Sequence, residues 1–384
     1  MPDQPRKPGD LGSSEPLVPP IHQSSVYTLP DLEALDRIVE GQEAGYIYAR
    51  DSHPNARTLA AALAHLEGGD WGLVCGSGMA AISATLLALL DDNSKRIVAS
   101  SYLYGRTTQL LGQELPRFGV TTDFVDTSSS DAVVDALAEP ARILFVETIS
   151  NPLLRVVDIE ALGQLARTRD CLLVVDNTFA TPALTRPLDQ GADFVVESLT
   201  KMIGGHSDVT LGVVCGKEDW LPQFTQTMSI WGLASNPFDC WLAQRGLETL
   251  PLRMRAACAN AHALAEWLTK QPGVSRVVYP GLTQHPDHEL AKCVLGGHFG
   301  NMLCFELAGG RDAVNRFMRA APGIPFSPSL GNTTTTCSHP GATSHRYVSP
   351  AEKKRQGISD GLVRLSVGIE ELEAIQEEMA RGLK

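Results

Sequence analysis

CLLVVDNTFATPALTRPLDQGADFVVESLTK, residues 171–201, decides the fold. It holds two short β-branched runs, CLLVV and FVV, each ending in a carboxylate or a hydroxyl, with a segment between them long enough for a crossover. Two upstream runs, RIVAS from Arg96 and RILFVET from Arg142, have the same character. Apolar runs without strict alternation belong to strands covered on both faces, which predicts a mostly parallel sheet with helices on each side. Further upstream, residues 58–66 have helical spacing and stop at Gly68-Gly69, and WGLVCG then reads as a strand. Ser77-Gly78-Met79 turns that strand into AAISATLLALL, a buried helix whose N-terminus offers donors to an anion.

Around this α/β centre the chain divides into three expected parts. Residues 1–55, rich in Pro and Gly, read as an arm contacting a neighbouring subunit. Residues 56–245 form the α/β domain. Residues 246–384, with a helical stretch at 245–267, the strand MLCFELAGG and a terminal helix at 370–383, form a smaller α+β domain. The 384 residues are 43% hydrophobic and 20% charged, the balance of an ordinary folded chain. A net charge of −12 repels phosphate backbones and anionic lipid, so neither nucleic acid nor a membrane is expected as partner. Eight cysteines without a Cys-x-x-Cys read as buried thiols, and the polar first twenty residues have no signal-peptide core, which together predict a cytoplasmic protein.

In a doubly wound sheet ligands sit beyond the carboxyl ends of the strands, so the polar residues ending each run come first. These are Asp176, Ser198 with Thr200 and Lys201, Ser150-Asn151, and the Ser77-Gly78-Met79 turn. A desolvated lysine at such an edge attacks aldehydes to form a Schiff base. A carboxylate on another strand keeps the pyridine nitrogen of pyridoxal 5'-phosphate protonated, making the ring an electron sink. The amides of Gly78 and Met79 and the hydroxyls of Ser198 and Thr200 supply the donors a phosphate needs. Plainer readings exist: Lys201 as a surface lysine, Asp176 as a helix cap, Arg364 in a structural ion pair, Tyr104 as core. His285 and His288 lack an acidic or cysteine partner at metal spacing, so no metal is expected. Cys75 occupies the first glycine of a nucleophile elbow around Ser77, and no G-x-G-x-x-G follows an early strand, which disfavours a serine hydrolase and a dinucleotide enzyme.

Nine ordered segments carry a resemblance: GYIYAR (45–50), SGMAAI (77–82), LYGRT (103–107), ETISNPLLRVVD (147–158), DNTFATPALTRPLDQGAD (176–193), ESLTKMIGGHSDVTLG (197–212), PFDCWLAQRGLETLPLRM (237–254), YPGLTQHPDH (279–288) and VRLSVGIEELE (363–373). Through them the chain resembles the cysteine and methionine metabolism enzymes of pyridoxal-phosphate fold type I. The resemblance implies that Lys201 bears the cofactor and shuttles protons, that Asp176 faces the pyridine nitrogen, and that Tyr104 stacks on the ring. Gly78, Met79, Ser198 and Thr200 would hold the phosphate, completed by Tyr48 and Arg50 from an adjacent subunit of a homotetramer built from dimers with shared sites. Arg364 would pair with the substrate carboxylate, Asn151 and Ser329 would lie near the cofactor oxygen and that carboxylate, with Asn151 contacting both cofactor and substrate, and Tyr104 or Tyr48 would assist proton transfer. The implied activity is elimination or replacement on the side chain of a small amino acid such as cystathionine, methionine or an O-acylhomoserine, with γ-chemistry favoured. Cystathionine β-lyase-type β-elimination and a non-catalytic cofactor-binding protein are the alternatives. Two residues depart from the common pattern: Arg106 beside Tyr104, where many members have glycine, and Thr334, where many have glutamate or an aromatic residue.

Overall fold

A computed structural model describes residues 13–92 and 94–384; the first twelve residues of the expected arm lie outside the described residues. The central sheet contains β1 (Trp71–Cys75), β2 (Arg96–Ser100), β3 (Thr121–Val125), β4 (Ile143–Glu147), β5 (Leu172–Asp176), β6 (Phe194–Ser198) and β7 (Gly212–Gly216). Their order is β1-β7-β6-β5-β4-β2-β3, with β6, β5, β4, β2 and β3 parallel and β7 antiparallel to both neighbours. The sheet is therefore mixed. A parallel neighbour needs a crossover, usually helical, but residues between β6 and β7 are spent on the turn that carries Lys201, so the chain folds straight back.

Three early helices, α1 (Leu32–Val39), α2 (Pro54–Glu67) and α3 (Gly78–Leu89), lead into and cover this sheet. Asp31 caps α1 by accepting the Ala34 amide at 2.7 Å. The sequence reading had no helix in the arm. The apolar residues Leu32, Leu35, Ile38 and Val39 do recur at helical spacing, but over only eight residues, too short a run to stand out beside the Pro- and Gly-containing segments around it. Pro54 opens α2, and Gly68, in the left-handed region at φ 76°, closes it where the Gly-Gly pair predicted. α3 is buried on most sides, as its composition requires, and Ser77 Oγ accepts its Ala80 amide at 3.0 Å.

A second sheet, β8 (Val274–Val278), β9 (Met302–Leu307), β10 (Thr336–Ser338) and β11 (Leu362–Ser366), runs β10-β11-β9-β8 with every pair antiparallel. It packs on the helices Leu250–Leu268, Gly310–Ala320 and Leu372–Gly382 around Phe305, Phe317, Leu365 and Met379. The expected helix over 245–267 is two helices, Pro237–Leu247 and Leu250–Leu268, because Pro251 has no N–H to continue the first and suits the start of the second. All eight cysteines are free thiols, with only Cys293 exposed. Among the described residues no helix is long and apolar enough to cross a membrane.

Candidate active site

The carboxyl ends of β4, β5 and β6, the start of α3 and residue 364 of β11 meet around one cavity of about 500 Å³. Gly78, Met79, Tyr104, Asn151, Asp176, Ser198, Thr200, Lys201 and Arg364 all line it. Ser329 joins through Lys201, whose Nζ donates to Ser329 Oγ at 3.1 Å.

Lys201 sits in the turn after β6, and a buried arginine from a distant helix steadies that turn. Arg253 donates to the carbonyls of Met202 at 2.6 Å and Ile203 at 2.9 Å. Burial, with the Arg364 charge nearby, pushes the Lys201 amine down to about 8, so a substantial neutral fraction exists near neutrality.

Asp176 ends β5 and lines the cavity. Its Oδ1 accepts the Thr178 amide at 3.0 Å, and burial holds its carboxyl above the usual range. Glu147 is its registered partner on β4. Glu147 accepts two cavity-lining amides, Tyr104 at 2.6 Å and Asn151 at 3.3 Å. Burial first, then the Asp176 charge, raises the Glu147 carboxyl well above normal.

At the α3 end, space is minimal. A Cβ on Gly78 would fall 2.7 Å from Ser198 Cβ, and one on Gly212 would fall 2.3 Å from the Ser77 carbonyl oxygen. Only glycine lets the backbone amides of the turn and the Ser198 hydroxyl approach each other so closely. Thr200 is less available than its position suggests, since its hydroxyl donates to the Leu211 carbonyl at 3.3 Å and accepts the Leu211 amide at 3.2 Å.

Arg364 is 3% exposed on β11. It donates to Asn151 Oδ1 at 2.8 Å and to the Ser329 carbonyl at 3.2 Å, while its Nε is buried without a partner. Among the described residues no carboxylate pairs with it, which removes the structural ion-pair reading. A buried guanidinium without a counter-ion is costly unless a ligand supplies one.

Tyr48 and Arg50 are not brought into this cavity. The Arg50 guanidinium stacks over the Tyr48 ring at 4.9 Å and approaches Asp51 at 3.6 Å. Thr334 is exposed and outside the cavity lining. Sequence reading passed over Glu147 and Glu197, although the strand-end rule that selected Asp176 points equally to both. Phe179, Ser344 and Tyr347 carry no local signal, because only tertiary packing brings their loops to the cavity.

The donor set fits pyridoxal 5'-phosphate. A glycine-walled helix start can take the phosphate, a neutralisable lysine the aldehyde, and a buried carboxylate the ring nitrogen. Comparison with known proteins agrees. The chain is 41% identical to an O-succinylhomoserine sulfhydrylase of Pseudomonas aeruginosa, covering 89% of this chain and 85% of that one. It is 40% identical to an L-methionine gamma-lyase of Fusobacterium nucleatum subsp. polymorphum, covering 96% and 93%. Its fold superposes on a cystathionine gamma synthase from Xanthomonas oryzae pv. oryzae in complex with cystathionine, with a TM-score of 0.90, 37% identity, and 95% and 92% of the two chains covered. Residues 7–384 match the family described as Cys/Met metabolism PLP-dependent enzyme, and the chain belongs to that family.

Proposed function

We propose that this chain carries out elimination or replacement at Cγ of a sulfur-metabolism amino acid, the chemistry named for the relatives above. The observation that carries the reading is one cavity holding an amine near neutral pKa, a buried carboxylate and a buried arginine without a counter-ion. Lys201 would hold pyridoxal phosphate through its aldehyde, Asp176 would keep the ring nitrogen protonated, and Gly78, Met79 and Ser198 would bind the phosphate, with Thr200 assisting once it releases the Leu211 carbonyl. When bound, the cofactor supplies an electron-withdrawing ring that accepts the pair left at the substrate Cα.

Arg364 takes the substrate α-carboxylate, and Asn151 fixes the guanidinium so that its free edge faces the cavity. That contact aims the Cα–H at Lys201. The Lys201 amine would then remove the proton at Cα, return it to the bound cofactor–substrate adduct, and so be free to remove a second one at Cβ, which permits departure of the substituent at Cγ. Tyr104, which lines the cavity, would cover the reacting region and hand a proton to the leaving atom. Elimination follows when water completes the reaction and replacement when a thiol does.

Tyr48 and Arg50, exposed and outside their own cavity, complete the phosphate site of a neighbouring subunit in a homotetramer built from dimers. The arm at 1–55 supplies them to the α/β domain of that neighbour, and the α+β domain at 246–384 brings Arg364. Free thiols throughout are compatible with the cytoplasm.

The test is spectroscopic and then chemical. The purified protein should show a band near ~420 nm that borohydride abolishes and Lys201→Ala lacks. Keto-acid and thiol assays on methionine, cystathionine and O-acylhomoserines should then detect turnover. A folded protein without the band overturns the reading.

A further inference from the structure

The cavity lining is chemically divided. Its acidic residues, Glu147, Asp176 and Glu197, all belong to the last two positions of strands β4, β5 and β6. Another part is built from Gly105, Arg106, Ala342, Thr343, Ser344, Tyr347 and Val348, and there the polar residues are Arg106, Thr343, Ser344 and Tyr347. No lining residue of that part is acidic.

Backbone packing delivers Arg106 to this place. A Cβ on Gly105 would fall 2.2 Å from the Ser344 carbonyl oxygen, so glycine there lets the turn carrying Arg106 press against the 344–347 segment. The guanidinium then lies over the Tyr347 ring at 4.9 Å and donates one N–H to Gln109 Oε1 at 2.8 Å. Stacking holds one guanidinium face and leaves edge donors for a ligand, while the partner, Gln109, is neutral. Among the described residues Arg106 forms no ion pair.

We infer that Arg106, seated on Tyr347, selects the far end of the substrate side chain and that the group it selects is a carboxylate. The substrate class is an amino acid whose γ-substituent ends in an anion, such as a dicarboxylic acid esterified through one end to homoserine. This rests on the reading that Lys201 and Arg364 engage the amino-acid end. With that end engaged, the side chain extends into the remaining cavity, whose one lining cation is Arg106, while the Thr343 hydroxyl donates to the His339 carbonyl at 2.9 Å and the Ser344 hydroxyl is bonded to His345 Nδ1 at 2.9 Å. A distal ammonium meets like charge there, and an S-methyl group gains nothing from a guanidinium. Two arginines, one for each carboxylate, make the cavity complementary to a dianionic amino acid.

The experiment compares O-succinylhomoserine with O-acetylhomoserine on the holoenzyme. Wild type should prefer the succinyl ester, and Arg106→Gln should lower kcat/KM for it at least ~10-fold more than for the acetyl ester, through KM, the loss expected for one charge-assisted contact. Arg106→Lys, which keeps the charge without the planar stack, should fall between. An unchanged ratio of the two esters in Arg106→Gln overturns the assignment. A second readout is independent of turnover: calorimetric titration of the holoenzyme with monomethyl succinate should give binding ~10-fold weaker in Arg106→Gln. If neither ester reacts, the proposed reaction has failed, and this titration alone decides on Arg106, with equal affinities in both proteins overturning it.

Discussion

Lys201 is set by its surroundings more than by its neighbours in sequence. Serine, leucine and threonine precede it and say nothing of its protonation, whereas burial and Arg364 depress the amine to about 8. A depressed ammonium pKa means the reactive neutral form gains population as pH rises through that value. In the cofactor-free protein, capture of pyridoxal phosphate should therefore accelerate with pH and level off above about 8, followed by stopped-flow absorbance. Arg364→Met removes the positive charge, so the midpoint should move up; a midpoint that stays in place would show that Arg364 does not act on the amine. In the assembled enzyme the same variant should lower kcat/KM for amino-acid substrates by about 30-fold or more, since losing one partner of a buried charge pair costs roughly 2 kcal/mol at least.

Elements explain why the residues converge. Each of β4, β5 and β6 hands a polar group to the same edge, and α3 begins there with the amides of Gly78 and Met79, which precede the Ala80 amide that Ser77 caps. Gly78→Ala should weaken pyridoxal-phosphate affinity and cost roughly 1–3 kcal/mol of stability, because the added methyl overlaps Ser198. Equilibrium dialysis and thermal unfolding would measure the two effects, and a variant with wild-type affinity would mean the turn does not hold the phosphate.

Behind this edge α2 and β6 press two buried carboxyls together, Glu67 and Glu197, with Asn177 Nδ2 donating to each, at 2.9 and 3.4 Å. Burial raises both, and the Glu67 charge and the hydrogen bond between the two side chains raise Glu197 further, which favours a proton on Glu197 shared with Glu67. The sign follows from the raised pKa: the proton-sharing pair stabilises the fold at low pH, and that contribution is lost as pH rises through the folded-state pKa. Thermal melts of Glu67→Gln should consequently fall less between neutral and alkaline pH than those of wild type. Parallel curves would mean the pair does not share a proton.

For the whole molecule the open matter is where Tyr48 and Arg50 act. They are stacked on each other outside the cavity of their own chain. If they serve a neighbour, mixed oligomers of Lys201→Ala and Arg50→Ala chains should regain activity that neither has alone, since one interface then carries an intact Lys201 with an intact Arg50. Refolding the two variants together and assaying turnover checks this, and light scattering should give a mass of at least two chains. Absence of recovery in oligomers shown to be mixed would place Tyr48 and Arg50 outside the site.

The strands β1, β2, β4, β5, β6 and β9, the helix start at Gly78, the glycine stop of α2 and the lysine and aspartate at their strand ends were legible in the sequence, because period and turns are encoded within a few residues. Tertiary structure alone decided the reversal of β7. It alone decided that Arg364 reaches Asn151 across 213 positions and that Glu147 stands beside Asp176 and Arg106 upon Tyr347. Those are relations between distant segments, settled by which faces pack and how much room a glycine leaves, and local pattern holds no record of either.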